Sequence, residues 1–306
     1  MAERRAPIGA VFIDKAGGIT SFSALGAVKR AVGTRKVGHT GTLDPFATGL
    51  LLALVGPATR TARYFNGLPK RYDALFVFGS ETATDDRTGS PTRETDLPSA
   101  ARVRAALDTF RGEIEQLPPA FSAVHVDGRR AHEIARRGEE PRLATRNVTV
   151  HDLRLVDEAT EHGLLKSLRL EIACSAGTYI RSIARDLGRA VGSSAHVGEL
   201  RRTEIGPFGV GEAVPADGLQ IPRHLNEIAR VLERLPNVAS VAVGDATALS
   251  ASNGRRIAAS DLDPSGSLPT AATTIVLTHH GEALAIGRME EDGFVYDIVF
   301  PRGGES

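Results

Sequence analysis

The sequence predicts a mixed α/β (α+β) protein in two parts: a larger domain over residues 1–238 and a small β-rich domain over 239–306. Three observations carry this. Helical and strand periodicities both occur in the first 204 residues. Residues 205–240 then gather Gly206, Pro207, Gly209, Gly211, Pro215, Gly218 and Pro222, the texture of a linker. Beyond it the chain changes to short apolar runs separated by tight turns. The 306 residues suit one large domain or two of ordinary size.

Taken in order, residues 8–13 read as a short strand. Thr20 and Ser21 offer an N-cap to a helix whose apolar stripe is Phe22, Leu25, Val28 and Val32, and Gly33 ends it. Residues 38–49 are rich in Gly and Thr and read as loop. Leu50–Val55 is an uninterrupted apolar run closed by Gly56-Pro57, the pattern of a strand buried on both faces. Tyr72–Phe78 alternates as a strand, and the polar residues 81–98 read as loop. A helix capped by Ser99 is expected over 99–111, with Val103, Leu107 and Phe110 inward. Pro118-Pro119 breaks the chain before an arginine-rich stretch, 128–146. Residues 164–174 predict a strand and 178–191 a helix; one more helix is expected at 224–235. In the tail, Val241–Val243, Thr274–Leu277, Ala283–Ile286 and Phe294–Phe300 read as strands. Asn253-Gly254, His280-Gly281 and Asp292-Gly293 turn between them, a small barrel or sandwich pattern.

Composition excludes several classes. A single cysteine, Cys174, forbids an internal disulfide and a cysteine-based metal cluster, and fits a reducing, cytoplasmic setting. Met1-Ala-Glu-Arg-Arg is followed by no apolar targeting segment, and no apolar run is long enough to span a membrane. Net charge is zero, but residues 241–306 hold 4 basic and 9 acidic residues, leaving 33 and 28 in residues 1–240. The body is therefore mildly basic and the tail acidic, a weak electrostatic pull on phosphate toward the body.

The segment with most chemical content runs Gly38-His39-Thr40-Gly41-Thr42-Leu43-Asp44-Pro45-Phe46-Ala47-Thr48-Gly49-Leu50. It places an acid in a glycine-rich loop just ahead of a buried strand. Pro45 confines Asp44 to extended backbone and so helps fix its carboxylate. Read alone, such a loop also suits a tight turn in which Asp44 merely caps backbone N–H groups.

The wording of the loop resembles the signature of the bacterial tRNA pseudouridine-55 synthases, the TruB family, which reads Gly-His-x-Gly-x-Leu-Asp-Pro-x-Ala-x-Gly-Leu. Three further blocks resemble the family in the same order: Lys70-Arg71-Tyr72, Gly177-Thr178-Tyr179-Ile180-Arg181, and His196-Val197-Gly198-Glu199-Leu200-Arg201-Arg202. Fainter echoes occur at Thr82–Gly89 and Gly128–Arg136. The likeness is strong over residues 8–210 and loose beyond.

The resemblance implies a catalytic domain on a largely antiparallel sheet, an RNA-clasping insertion at about 118–150, and a PUA-like C-terminal barrel. It implies isomerisation of uridine 55 in the tRNA T-loop by base flipping, with no cofactor and no metal. Asp44 would be the catalytic residue, Arg181 its partner, and Tyr72, Tyr179 and Leu200 the walls receiving the base. His39, Thr40, Gly41, Lys15, Arg129 and Arg130 would meet the RNA. The physics is consistent with those roles. Flipping a base costs about a few kcal/mol, and stacking it on an aromatic wall returns about 1–3 kcal/mol. The partner implied is the tRNA T-arm alone, bound by a monomer with no membrane or protein partner. The sequence departs from the family pattern at Ala16, which follows Asp14-Lys15 where proline is usual, at His132 in place of an aromatic, and at Arg60 in place of lysine. Two other readings use the same features. One is an RNA-binding factor that folds tRNA; the other is a pseudouridine synthase acting on another RNA, perhaps with a guide.

Overall fold

The computed structural model describes residues 7–126, 128–262 and 274–301. The Met1–Arg5 stretch read for targeting signals lies outside the described residues, as does part of the tail. Among the described residues no helix is long and apolar enough to cross a membrane.

In chain order the strands are β1 (Gly9–Lys15), β2 (Val37–His39), β3 (Thr48–Val55), β4 (Lys70–Phe78), β5 (Ser80–Thr82), β6 (Pro91–Glu94), β7 (Gly112–Gln116), β8 (His125–Val126), β9 (Arg129–Arg130), β10 (Arg146–Glu161), β11 (Leu164–Cys174), β12 (Ala195–Ile205), β13 (Phe208–Gly209), β14 (Val214–Pro215), β15 (Val238–Ala242), β16 (Thr274–His279), β17 (Glu282–Glu290) and β18 (Gly293–Val299). The helices are α1 (Ser21–Val32), α2 (Arg63–Asn66), α3 (Ala100–Ala106), α4 (Ala131–Ala135), α5 (Ile180–Ala190), α6 (Ile228–Glu233), α7 (Asp245–Ser252) and α8 (Ala259–Leu262). One large sheet runs β14-β1-β3-β12-β4-β11-β10-β7, with β2 added to β3 and β13 to β12. Only β1·β14 and β3·β12 pair in parallel, so the sheet is largely antiparallel, as the resemblance implies.

The apolar run of β3 has a direct explanation. Leu51, Ala53 and Val55 pack beneath α1, while Leu50, Leu52 and Leu54 face the opposite layer of Phe65, Phe208, α6 and the C-terminal sheet. Side chains alternate along a strand, so a strand covered on both faces must be apolar throughout. Helix α1 begins where the sequence places it. The Thr20 side chain accepts from the Ser23 N–H, and Gly33 closes the helix at φ 70°. Phe22, however, is 72% exposed, and the buried stripe is Ser21, Ala24, Leu25, Val28 and Val32.

Other expectations change. Residues 81–98 are not all loop, because β5 and β6 form a hairpin there. The expected helix at 99–111 is α3 followed by a 3-10 turn over Leu107–Phe110, with Ser99 capping as read. Residues 205–240 are no free linker. Val214 pairs with Ile13 at the sheet edge, Asn226 bridges Ala10, and Phe208 is fully buried against Phe12 and Phe65. The helix there shortens to α6. The tail contains a separate four-stranded sheet, β15-β16-β17-β18. His280-Gly281 and Asp292-Gly293 turn between its strands, whereas Asn253-Gly254 ends α7 instead. This sheet shares a core with the large domain through Val276, Ile286, Ile298 and Phe300. Arg60 donates to the Val299 carbonyl at 2.7 Å across the same junction.

Candidate active site

The segment that carries Asp44 connects β2 to β3, and the sheet dictates where it leaves. Along one edge of β3, His39 pairs with Ala53, while Arg201 and Arg202 of β12 pair with Thr48 and Gly49. Residues 40–47 span the gap between those two partners. They are tied down at several points. Ser21, at the start of α1, accepts from the Leu43 N–H at 2.8 Å and donates to the Leu43 carbonyl at 3.1 Å. The Gly18 N–H and the Lys15 ammonium both donate to the Pro45 carbonyl, at 2.8 and 3.2 Å. The Asp44 carbonyl accepts from the Ala47 N–H at 3.1 Å, closing a turn with Pro45 at its second position. Leu43, Phe46 and Ala47 plug into the core beside Ile180 and Leu200.

Arg202 braces the loop from below. It is 1% exposed and donates to the carbonyls of Leu50 at 2.8 Å, Thr42 at 3.3 Å and Gly41 at 3.0 Å. Gly49 must be glycine to let it sit there. Its φ is 102°, and a Cβ would lie 2.2 Å from the Arg202 carbonyl oxygen.

Asp44 itself is held by Arg181 through two parallel hydrogen bonds, Nε to Oδ2 and Nη2 to Oδ1, each 2.9 Å. The side chain of Arg181 is 3% exposed and that of Asp44 is 30% exposed, so the carboxylate faces outward while its partner is sealed in. Arg181 also donates to the carbonyls of Thr84 at 2.8 Å and Phe121 at 3.1 Å, the latter at the base of the arginine-rich insertion. A planar guanidinium with all these acceptors fixed has one orientation, which it imposes on the carboxylate.

Tyr72 lies directly across the ladder from Arg202, and Leu200, two residues before it on β12, shares its face. Tyr72 packs against the buried cluster that includes Leu200, Leu43 and Phe46. Burial pushes its phenol above the ordinary range, with Arg202 opposing, so the ring is a neutral wall at physiological pH. Tyr179 caps α5. Its N–H donates to Gln116 Oε1 at 2.8 Å and its carbonyl accepts from Gln116 Nε2 at 3.0 Å. Its ring centroid is 6.0 Å from the Arg181 guanidinium carbon. The structure thus brings together Asp44, Arg181, Tyr72, Tyr179 and Leu200, which come from well-separated stretches of chain.

His39 and Gly41 sit at the rim, where the Gly41 N–H donates to His39 Nδ1 at 3.4 Å. Burial, then the Arg202 charge, keeps the His39 imidazole below its usual range. Arg129 and Arg130 are exposed on the β8–β9 hairpin, and Arg129 lies 3.8 Å from Glu139.

Two expectations fail. Lys15 was expected to meet RNA, yet it is wholly buried and donates to the carbonyls of Ala16, Ile19 and Pro45. Burial lowers its ammonium to about 8, with Asp44 opposing and Arg202 adding to the fall. Its work is to hold the loop. Thr40 is 1% exposed, so its side chain does not reach the surface where RNA would bind either. Arg202 and Gln116 were overlooked. The first could have been found from its spacing, two residues after Leu200 on a strand. The second left no local signal, since its role depends on residues 63 positions away.

The fold and this pocket define the class first. The chain superposes on a chain of a Cbf5–Nop10–Gar1 complex with a TM-score of 0.68 at 23% identity, covering 96% of this chain and 85% of that one. It superposes equally on a chain of an H/ACA RNP bound to a substrate RNA containing 2′-deoxyuridine, with a TM-score of 0.67 at 22% identity over 96% and 86%. It therefore shares its fold with those chains. The family model for the TruB family pseudouridylate synthase N-terminal domain matches residues 29–180, and the tRNA pseudouridylate synthase B C-terminal domain matches 181–228. Proteins named tRNA pseudouridine synthase B are similar along most of the chain. The one from Paracoccus denitrificans is 38% identical over 92% of both chains. That from Parasynechococcus marenigrum is 40% identical over 97% of this chain and 99% of its own. That from a Synechococcus species is 47% identical over 69% of each. The chain belongs to the TruB family of pseudouridine synthases.

Proposed function

We propose that this protein converts uridine 55 in the T-loop of tRNA to pseudouridine, with Asp44 as the catalytic residue. The observation that carries the reading is the Asp44–Arg181 pair: a partly exposed carboxylate, gripped at two oxygens, on a loop anchored at both ends. The reaction breaks the N1–C1′ bond and makes a C5–C1′ bond. N1 gains a proton and C5 loses one, so atoms balance with no oxidant or reductant. The scissile bond is buried in a stacked loop, so the base is flipped out, and Tyr72, Tyr179 and Leu200 restack it against apolar and aromatic surface. Asp44 acts on the nucleotide from the rim, and Arg181 keeps its carboxylate aimed. His39 and Gly41 face the emptied stack, and Arg129 and Arg130 draw the insertion at about 118–150 toward phosphates.

The same reading takes residues 1–238 as the catalytic domain and 239–306 as a PUA-like domain whose acidity limits its grip on RNA. It makes the enzyme a cytosolic monomer that needs tRNA and no protein partner. The 38–47% identity to proteins named tRNA pseudouridine synthase B supports this over a guide-dependent role, since the likeness to chains of the RNP complexes is one of fold. The test is to incubate the purified chain with an unmodified tRNA transcript and nothing else, then digest and quantify pseudouridine by mass spectrometry. One pseudouridine per tRNA is expected. Tight binding or refolding of tRNA with no product would refute the enzymatic reading, and activity appearing only with an added guide RNA would refute the substrate.

A further inference from the structure

Arg146 is the first residue of β10, and it pairs across the ladder with Gln116 of β7. Gln116 is the residue that clamps Tyr179 by its backbone. This shared neighbour brings Arg146 to the site: its guanidinium carbon lies 5.0 Å from the centroid of the Tyr179 ring. Four other arginines of the same domain have partners. Arg181 holds Asp44, Arg185 holds Asp85, Arg201 holds Asp14, and Arg202 holds the loop carbonyls. Arg146 differs. Among the described residues no carboxylate pairs with it, and its Nη2 is shut off from solvent with no acceptor.

The open side of the guanidinium is equally specific. Gly177 is exposed and at φ 86°, and a Cβ built on it would meet Nη1 of Arg146 at 3.8 Å and, apart from its chain neighbours, no other side chain or backbone atom within 4 Å. An anion can therefore approach over Gly177. The geometry points to a phosphate-binding residue: we propose that Arg146 receives a backbone phosphate of the bound RNA beside the nucleotide that stacks on Tyr179. The inference rests on the function proposed above. A phosphate arriving at Nη1 supplies the counter-charge that the guanidinium lacks and an acceptor on its reachable side. Tyr179 between Arg146 and Arg181 then separates two tasks, with Arg146 on the RNA backbone and Arg181 on the carboxylate.

The test uses the full chain and a T-arm stem-loop RNA, comparing wild type with Arg146→Met and Arg146→Lys. Binding is measured across a salt series, and single-turnover conversion at saturating RNA. Arg146→Met should bind roughly ten- to a hundred-fold more weakly. Its slope of log K against log salt should shrink by about 0.7–0.9, the release belonging to one phosphate. Arg146→Lys should recover the slope, and conversion at saturation should change little. A scan of single methylphosphonate linkages in the RNA, read on wild type, should find one neutral linkage that costs as much and that adds nothing in Arg146→Met. An unchanged slope in Arg146→Met, or a scan with no sensitive linkage, overturns the inference while leaving conversion by wild type intact. Failure of wild type to bind or convert the RNA overturns the proposed function as well.

Discussion

Replacing Arg181 with methionine should unfold the logic of the site at one stroke. The substitution keeps apolar volume but removes four hydrogen bonds: two to Asp44, one to Thr84 and one to Phe121. Breaking a fully buried ion pair by deleting one member costs about 3–5 kcal/mol. Asp44 is 30% exposed, so water can solvate the abandoned carboxylate and the figure falls to the lower end. The stranded carbonyls of Thr84 and Phe121 add about 1 kcal/mol each where water does not reach them. The sum is about 3–5 kcal/mol, readable as a lower urea midpoint at constant m-value. Conversion of tRNA should fall by at least a hundred-fold at saturating RNA, because the carboxylate loses its fixed aim, while tRNA affinity stays within a few-fold. Arg181→Lys should recover part of the stability and little of the rate, since an ammonium cannot grip two oxygens and two carbonyls in one plane. A methionine variant within 1 kcal/mol of wild type, or one with normal turnover, would refute the reasoning.

Three further outcomes follow from the same geometry. Gly49→Ala places a methyl 2.2 Å from the Arg202 carbonyl at φ 102°, so it should cost about 2–4 kcal/mol and most of the activity; a normal thermal midpoint contradicts this. Lys15 is held near 8 in the folded chain against an ordinary 10.5, so between those pH values the unfolded chain binds more protons and stability rises with pH. Lys15→Met should flatten that rise in urea denaturation from pH 7.5 to 10, leaving the part that belongs to Lys70, which burial also lowers to about 8; an unchanged slope in the variant contradicts it. Burial pushes the Cys174 thiol up to about 11, so iodoacetamide should leave the native protein unmodified at pH 8 and label it fully in urea.

Local signals in the sequence carried most of the fold. The cap at Thr20, the stop at Gly33 and the double-sided burial of Leu50–Val55 are encoded within a few residues, and each is found in place. Strand β10 went unread, because its outer half is charged and pairs on one side only, which blurs the alternation. The segment 205–240 looked like a linker because glycine and proline serve equally where a chain winds tightly over a sheet edge. Phe208 was the clue that this stretch packs. The meeting of Asp44 with Arg181, 137 residues apart in the chain, could be read only through the family resemblance. Lys15 was misjudged because a lysine in a loop is normally solvated. Its burial depends on three carbonyls, one of them 30 residues away, that no local pattern reveals.

The central claim is that Asp44 performs the chemistry on one tRNA uridine. Its most direct test is to map pseudouridine by position in an unmodified tRNA transcript treated with wild type or with Asp44→Asn, alongside the affinity of each for that tRNA. The account predicts product at position 55 with wild type, none with Asp44→Asn, and similar affinity for both. Product formed by Asp44→Asn, or wild-type product at another position alone, would contradict it.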